Sequence, residues 1–465
     1  MKISKMKIYT LLAYFMIIIA TLIFINIIRE YDYKIWLQYM GWYVIFHMIV
    51  SLFCLYLSKV KLFSLSGFFV GFSYIFHFGQ IMILAISENY QFTILNYSRW
   101  LNSEWFKDAI ELSLLVIMMV VLGMLLSPIP SSKKSFRVLE ESDNLYKKMG
   151  WIILIISLPV RFIIDFQAIR TSAQAGYLAV FELEFSGVAY QIASFYVIGI
   201  VFLLIAYRKN IKKANLIFII TCAYNAISML SGGRGRAMIN ILLVIYIFFT
   251  VVKKIRVRQV VTFFLIGYVV IMVLNALTTL RTEGISSVNQ LFVAIRTSEN
   301  NPFLRILEEF GGTIYTVYQS ILYVPNQLDY SFGATYLYSL SQIFLNFNGL
   351  LNDVGIAASF SKNISDGSPM GGSYIGELYY NFGYFSIMGG LFIGVFVNKI
   401  SLKIEQCIND CDFYKLSFYL MLFVNIIWWV RAAFMDLTRA FVWGAILIWV
   451  THYLARKVIF SEKKN

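Results

Sequence analysis

Histidine, cysteine and charge are all scarce in this chain of 465 residues. It carries three histidines, four cysteines and 14% charged residues. His47, His77 and His452 each stand inside long apolar runs, where a lone histidine reads as a hydrogen-bonded packing residue before it reads as a base. Cys54 and Cys222 lie in such runs too, while Cys407 and Cys411 share a short polar stretch. Neither a disulfide framework nor a zinc spacing is visible, so no metal or other cofactor is expected. So little charge, beside 59% hydrophobic and 17% aromatic residues, lies outside the range of soluble domains. There is no internal repeat and no low-complexity linker.

What is present is a series of apolar runs. A hydrocarbon core of ~30 Å takes about 20 mainly apolar residues to cross. Twelve stretches qualify: 8–28, 40–58, 62–87, 107–127, 149–166, 187–207, 214–230, 237–252, 259–278, 384–400, 416–434 and 440–458. The expected fold is all-α, a polytopic integral membrane protein of about 12 transmembrane helices with one large extracytoplasmic loop. In segments, 1–278 holds the first nine spans, 279–383 the loop, and 384–465 the last three spans and a tail. The first run follows Lys2, Lys5 and Lys7 as a secretory signal would. Its length exceeds an h-region and no small-x-small site follows Ile28, so an uncleaved span is expected.

An even number of spans puts both termini on one side, and loop charge says which. Alternate gaps and both tails carry 25 of the 39 lysines and arginines, and the positive-inside tendency assigns them to the cytoplasm. The net charge of +14 therefore reflects topology and anionic headgroups, with the lipid bilayer and no nucleic acid as partner.

The two cations are sorted differently. Of 23 lysines, only Lys34, Lys107 and Lys362 fall on the far side, against eleven of 16 arginines. These are Arg29, Arg99, Arg161, Arg170, Arg234, Arg236, Arg281, Arg296, Arg305, Arg431 and Arg439, mostly at span ends. Snorkelling anchors would explain arginine there, yet lysine would serve that purpose equally. A preference for guanidinium points to bidentate grip on phosphate. Arg29 and Arg99 read as anchors.

Two local patterns stand out. Ser231-Gly232-Gly233-Arg234-Gly235-Arg236 forms the whole turn between the seventh and eighth spans. Glycines let a backbone approach a ligand, and N–H groups opening a helix suit an anion. A tight interhelical turn would explain the glycines but not two arginines set against the topological bias. In the long loop, 303–324 and 335–347 show helical apolar spacing broken by Arg305, Glu308, Glu309, Gln319 and Gln342. These read as helices lying at the surface or packed over the bundle. A glycine-rich stretch then leads to Gly371-Gly372-Ser373-Tyr374-Ile375-Gly376-Glu377-Leu378-Tyr379-Tyr380-Asn381-Phe382-Gly383. Its lone carboxylate, Glu377, is a candidate proton acceptor, or else a helix-capping or arginine-pairing residue. The loop tyrosines, Tyr379 among them, suit sugar faces and interfacial belts alike.

The arginine-bearing turn, the large loop and above all the 372–383 run resemble the oligosaccharide repeat-unit polymerases, the Wzy-type enzymes of O-antigen and capsule assembly. The likeness covers nearly the whole chain. It implies a multi-pass glycosyltransferase of the bacterial cytoplasmic membrane that works on the outer face. Such an enzyme transfers a growing glycan from undecaprenyl diphosphate onto an incoming lipid-linked repeat unit. Donor and acceptor are both undecaprenyl-diphosphate-linked oligosaccharides, and a flippase and a chain-length regulator are the protein partners such a role implies. Arg234 and Arg236 would then grip the diphosphate, helped by some of Arg161, Arg170, Arg281, Arg296, Arg431 and Arg439. Glu377 would act as base and Tyr379 would contact substrate.

The paired Arg-x10-Gly motifs of some members are absent. A lipid-linked O-antigen ligase would be expected to use an outer histidine, and the sequence offers none on that side. A polyprenyl-phosphate-sugar glycosyltransferase with a metal-binding Glu30-Tyr31-Asp32 pair is an alternative, as is a repeat-unit flippase. The flippase would be expected to place its charges along a central cavity and to show two similar halves.

Overall fold

The computed structural model describes residues 5–87, 103–127, 142–175, 185–231, 233–253, 301–344, 352–365 and 371–462, with isolated positions between them. Every regular element among them is helical. In chain order these are α1 (Lys5–Arg29), α2 (Tyr33–Leu57), α3 (Leu65–Ile86), α4 (Glu104–Leu126), α5 (Asp143–Ala175) and α6 (Gly187–Ser194). Next come α7 (Tyr196–Ala206), α8 (Ile211–Ser228), α9 (Arg234–Ile247), α10 (Pro302–Gly311), α11 (Ile314–Tyr323) and α12 (Ala334–Ser341). The last are α13 (Asn352–Ala358), α14 (Phe360–Asn363), α15 (Tyr374–Phe382), α16 (Ser386–Asn409), α17 (Phe413–Trp429) and α18 (Phe434–Glu462).

Ten stretches among the described residues are long and apolar enough to cross a membrane, and α17 is apolar but shorter. The chain is a polytopic membrane protein. The span expected at 259–278 lies outside the described residues. One boundary differs from expectation: the stretch placed from 384 onward begins at Tyr374, because α15 continues through a single 3-10 turn into α16. The glycines of 371–376 had suggested loop. They serve close packing instead.

The described residues divide into two compact units, each assembled from separated segments. The first comprises 1–132, 306–403 and 425–439. Here α1 runs antiparallel to α4, with a cation fixed at each end. The Lys7 ammonium donates to the Ser127 carbonyl, and Arg29 pairs with Asp108 at 2.5 Å and Glu111 at 2.9 Å. With its ends so matched, α1 presents apolar side chains outward along its length, and Leu12, Phe15, Met16 and Ile23 are exposed as lipid-facing residues should be. Helix α4 instead crosses α16 at backbone contact: a Cβ at Gly394 would lie 1.9 Å from the Val120 carbonyl oxygen. Gly390 and Gly394 form the small-xxx-small spacing that lets membrane helices approach this closely.

The helical stretch expected over 303–324 is divided into α10 and α11, which pack into this unit. Glu308 is fully buried, and its carboxylate accepts the Tyr90 hydroxyl at 2.8 Å. In α11, Ile314, Val317 and Ile321 are buried, and Thr316 donates to the Gly371 carbonyl at 2.8 Å. The second unit comprises 133–305, 404–424 and 440–465, with α5 lying along α7.

Candidate functional site

In the first unit the 372–383 run forms a helix with a built start. The Ser373 hydroxyl accepts the N–H groups of Ile375 and Gly376, each at 3.2 Å, as an N-cap. His77 Nδ1 meets the Ser73 carbonyl at 2.9 Å, so that nitrogen carries the proton and Nε2 accepts the Ser373 hydroxyl at 2.8 Å. His77 is thus a packing histidine that fixes where α15 begins. A Cβ at Gly372 would fall 2.3 Å from the Ala432 carbonyl carbon, so glycine is required for residues 432–433 to lie against the run.

Glu377 stands one turn into α15 with no exposed surface. Its Oε1 accepts the Thr335 hydroxyl at 3.2 Å, and its Oε2 accepts the backbone N–H of Phe434 at 2.8 Å. Asn381 donates to both the Thr335 hydroxyl and the Glu377 carbonyl at 2.7 Å, completing a satisfied buried network. Nearby, burial and then the Glu377 carboxylate push the Tyr336 phenol well above the usual tyrosine range, so it keeps its proton. Tyr379 is buried as well, its hydroxyl donating to the Val324 carbonyl at 3.4 Å.

Arg431 and Arg439 flank this network on the 428–439 segment. The Arg431 guanidinium lies 5.3 Å from the Phe76 ring centroid and 5.8 Å from that of Trp428, and it is partly exposed. Arg439 is also partly exposed and follows Thr438, whose hydroxyl donates to the Ser339 carbonyl at 3.3 Å. The structure therefore brings Glu377, Tyr379, Arg431 and Arg439 to α15 and the segment packed on it.

The second unit holds Arg161, Arg170, Arg234 and Arg236. After α8 a 3-10 turn over Met229–Ser231 leads to Gly233, which caps α9, so Arg234 and Arg236 occupy its first turn. Both are partly exposed. Gly233 has φ −79°, and a Cβ there would meet only the Ser231 hydroxyl at 3.8 Å. Neither backbone strain nor packing demands a glycine; an N-cap position favours one over most residues, and the missing side chain leaves the backbone open there.

One turn along the same face from Arg236 stands Asn240. Its amide donates to the Tyr196 hydroxyl at 3.0 Å, which donates in turn to Asn225 Oδ1 at 2.5 Å. The Tyr196 ring lies 5.5 Å from the Arg161 guanidinium, and Arg161 pairs with Asp165 at 2.8 Å while Tyr224 donates to the same carboxylate oxygen at 2.6 Å. A polar network thus ties Arg161 to the helix that carries Arg234 and Arg236. Arg170 is exposed and roughly two and a half turns along α5, on its opposite side. Arg281 and Arg296 lie outside the described residues.

Sequence reasoning missed the partners Asp165, Tyr196, Asn225 and Asn240. The Arg161–Asp165 and Arg236–Asn240 spacings of four were readable, whereas the link between them is a tertiary contact. A family model described as O-antigen polysaccharide polymerase Wzy matches residues 7–463. No curated protein and no solved structure matches the chain.

Proposed function

The chain belongs to the Wzy O-antigen polysaccharide polymerase family, membrane glycosyltransferases of the bacterial inner membrane that polymerise lipid-linked repeat units, and from that premise we propose how its own residues take part. The transfer runs on the outer face, with both termini in the cytoplasm as loop charge indicates. Donor and acceptor are carried on undecaprenyl diphosphate, and a flippase and a chain-length regulator are its protein partners.

In the reaction the acceptor hydroxyl oxygen attacks the donor's anomeric carbon. The bond from that carbon to the lipid diphosphate breaks, its electron pair leaves on the diphosphate, and the proton of the acceptor hydroxyl is released to water. Negative charge therefore grows on the leaving group, and fixed donors aimed there lower the barrier. Arg234 and Arg236, in the first turn of α9 beside an open glycine, suit that task best. The helix N-terminus adds N–H groups of the right polarity. The observation that carries this reading is the pair of partly exposed arginines in the first turn of a helix whose capping Gly233 leaves the backbone open beside them.

Arg161 supports this grip through Tyr196 and Asn240, its own charge being matched by Asp165. Arg431 and Arg439 remain candidates for phosphate contacts, and so do Arg281 and Arg296, while the exposed Arg170 is a weaker one. Glu377, expected as base, has both oxygens engaged and no exposed surface, which favours a positioning role for the segment bearing Arg431.

A strain lacking the protein tests the reading. It should accumulate single repeat units on lipid at the outer face, and purified protein given those units without nucleotide sugar should return polymer. Accumulation at the inner face would instead indicate a flippase.

A further inference from the structure

Arg431 stands in the turn between α17 and α18, and the first unit fixes both its backbone and its guanidinium. The Arg431 backbone N–H donates to the Trp428 carbonyl at 3.0 Å, and that of Ala432 donates to the Trp429 carbonyl at 3.3 Å, which closes the turn. The 371–372 backbone packs against it. A Cβ would lie 3.3 Å from the Arg431 carbonyl oxygen at Gly371, and 2.3 Å from the Ala432 carbonyl carbon at Gly372. At the far end of the side chain, the guanidinium carbon lies over two rings, 5.3 Å from the centroid of Phe76 and 5.8 Å from that of Trp428.

The two rings are held differently. Trp428 is partly exposed and belongs to the same turn, three residues before Arg431. Phe76 comes from α3 and has no exposed surface; its ring centroid is 5.6 Å from that of Phe72 and 5.1 Å from that of Phe310 in α10. It is a face set rigidly by other helices. Both guanidinium distances fall within the ~6 Å over which a ring quadrupole attracts a cation. Such a ring draws a guanidinium to one place without cancelling its charge, as a carboxylate would. Arginine has many rotamers, and ordering it before a ligand arrives removes that cost from the binding step.

We propose that Phe76 is a positioning residue for the polymerase reaction: with Trp428 it holds the Arg431 guanidinium ready for the diphosphate of a lipid-linked substrate. The inference rests on the reading of Arg431 as a phosphate contact. Phe76 acts through Arg431 and meets no substrate itself. An aliphatic side chain would fill the space beside Phe72 and Phe310 but offer the guanidinium no π face, so the role requires the ring and not only its bulk.

The test is polymer formed per folded molecule by the purified full chain given lipid-linked repeat units, read beside the thermal unfolding midpoint. Arg431→Ala should lower it about tenfold or more. Phe76→Leu and Trp428→Leu should each lower it about three- to tenfold, while Trp428→Phe, which keeps a ring, should stay within about twofold of wild type. In the Arg431→Ala background, Phe76→Leu should bring no further loss, a non-additivity that a residue serving only the fold would not show. Activity near wild type in folded Phe76→Leu, or in Trp428→Leu where Phe76→Leu yields no folded protein, overturns the positioning role. So does a loss that adds in full to that of Arg431→Ala. Wild-type activity in Arg431→Ala itself removes the phosphate contact, and the positioning role with it.

Discussion

The backbone N–H of Phe434 donates to Oε2 of Glu377 at 2.8 Å, joining the first residue of α18 to the interior of α15 across 57 residues of sequence. Thr335 holds the other oxygen, so three separate segments meet at one buried carboxylate. Such a carboxylate orders its neighbours, and its removal is felt first as lost structure. Glu377→Ala leaves the Phe434 N–H and the Thr335 hydroxyl unmatched, at about 1–3 kcal/mol each. Glu377→Gln sets an amide NH2 against one of these donors. Both variants should lower the thermal unfolding midpoint and the yield of folded protein, with polymer formed per folded molecule close to wild type. Loss of a general base would give the reverse pattern, a fall of roughly 10²–10⁴-fold at an unchanged midpoint.

Arg234 and Arg236 open α9 beside the capping Gly233. If they grip diphosphate, the fork matters as well as the charge, since lysine offers a point charge where arginine offers two parallel donors. Arg234→Lys and Arg236→Lys should each cut polymerisation by about tenfold or more while membrane protein levels hold. Long-chain polymer at normal yield from both variants removes the assignment.

Two glycines that look alike in sequence should respond in opposite ways. Gly372→Ala drives a Cβ to 2.3 Å from the Ala432 carbonyl carbon, and backbone has nowhere to go, so folded protein should fall sharply. Gly233→Ala meets only the Ser231 hydroxyl at 3.8 Å and should fold normally. If ligand approaches the backbone there, the same variant should still lose polymer. Quantitative immunoblots beside polymer ladders separate the two effects.

This contrast marks how far the sequence could be read. Apolar run length located the spans because crossing a hydrocarbon core sets a minimum length for any helix. Helix over 303–324 followed from spacing, read as lying at the surface or packed over the bundle; its burial did not. What spacing cannot carry is which distant residues meet. His77 reaches Ser373 across 296 positions, and Arg29 reaches Asp108 and Glu111 across 79 and 82. The run at 371–376 read as a loop because glycine usually breaks helices, whereas here a helix starts at Tyr374 and glycine admits a neighbouring backbone. Arg29 read as an anchor, and the carboxylates that hold it were hidden inside an apolar run.

Arg161 offers the sharpest separation of structure from chemistry. It pairs with Asp165, which is 8% exposed, and Tyr224 donates to the same oxygen. Removing only the cation, as in Arg161→Ala, strands a buried carboxylate and should cost about 3–5 kcal/mol. Arg161→Ala combined with Asp165→Ala removes both charges and should recover much of the lost stability, a non-additivity that a double-mutant cycle measures directly. Polymerisation in the double variant then decides what the arginine does. With folded protein restored, activity should return to within about threefold of wild type if Arg161 acts only through Tyr196 and Asn240. A persistent loss of tenfold or more, with normal unfolding, would instead put its guanidinium in contact with the leaving diphosphate.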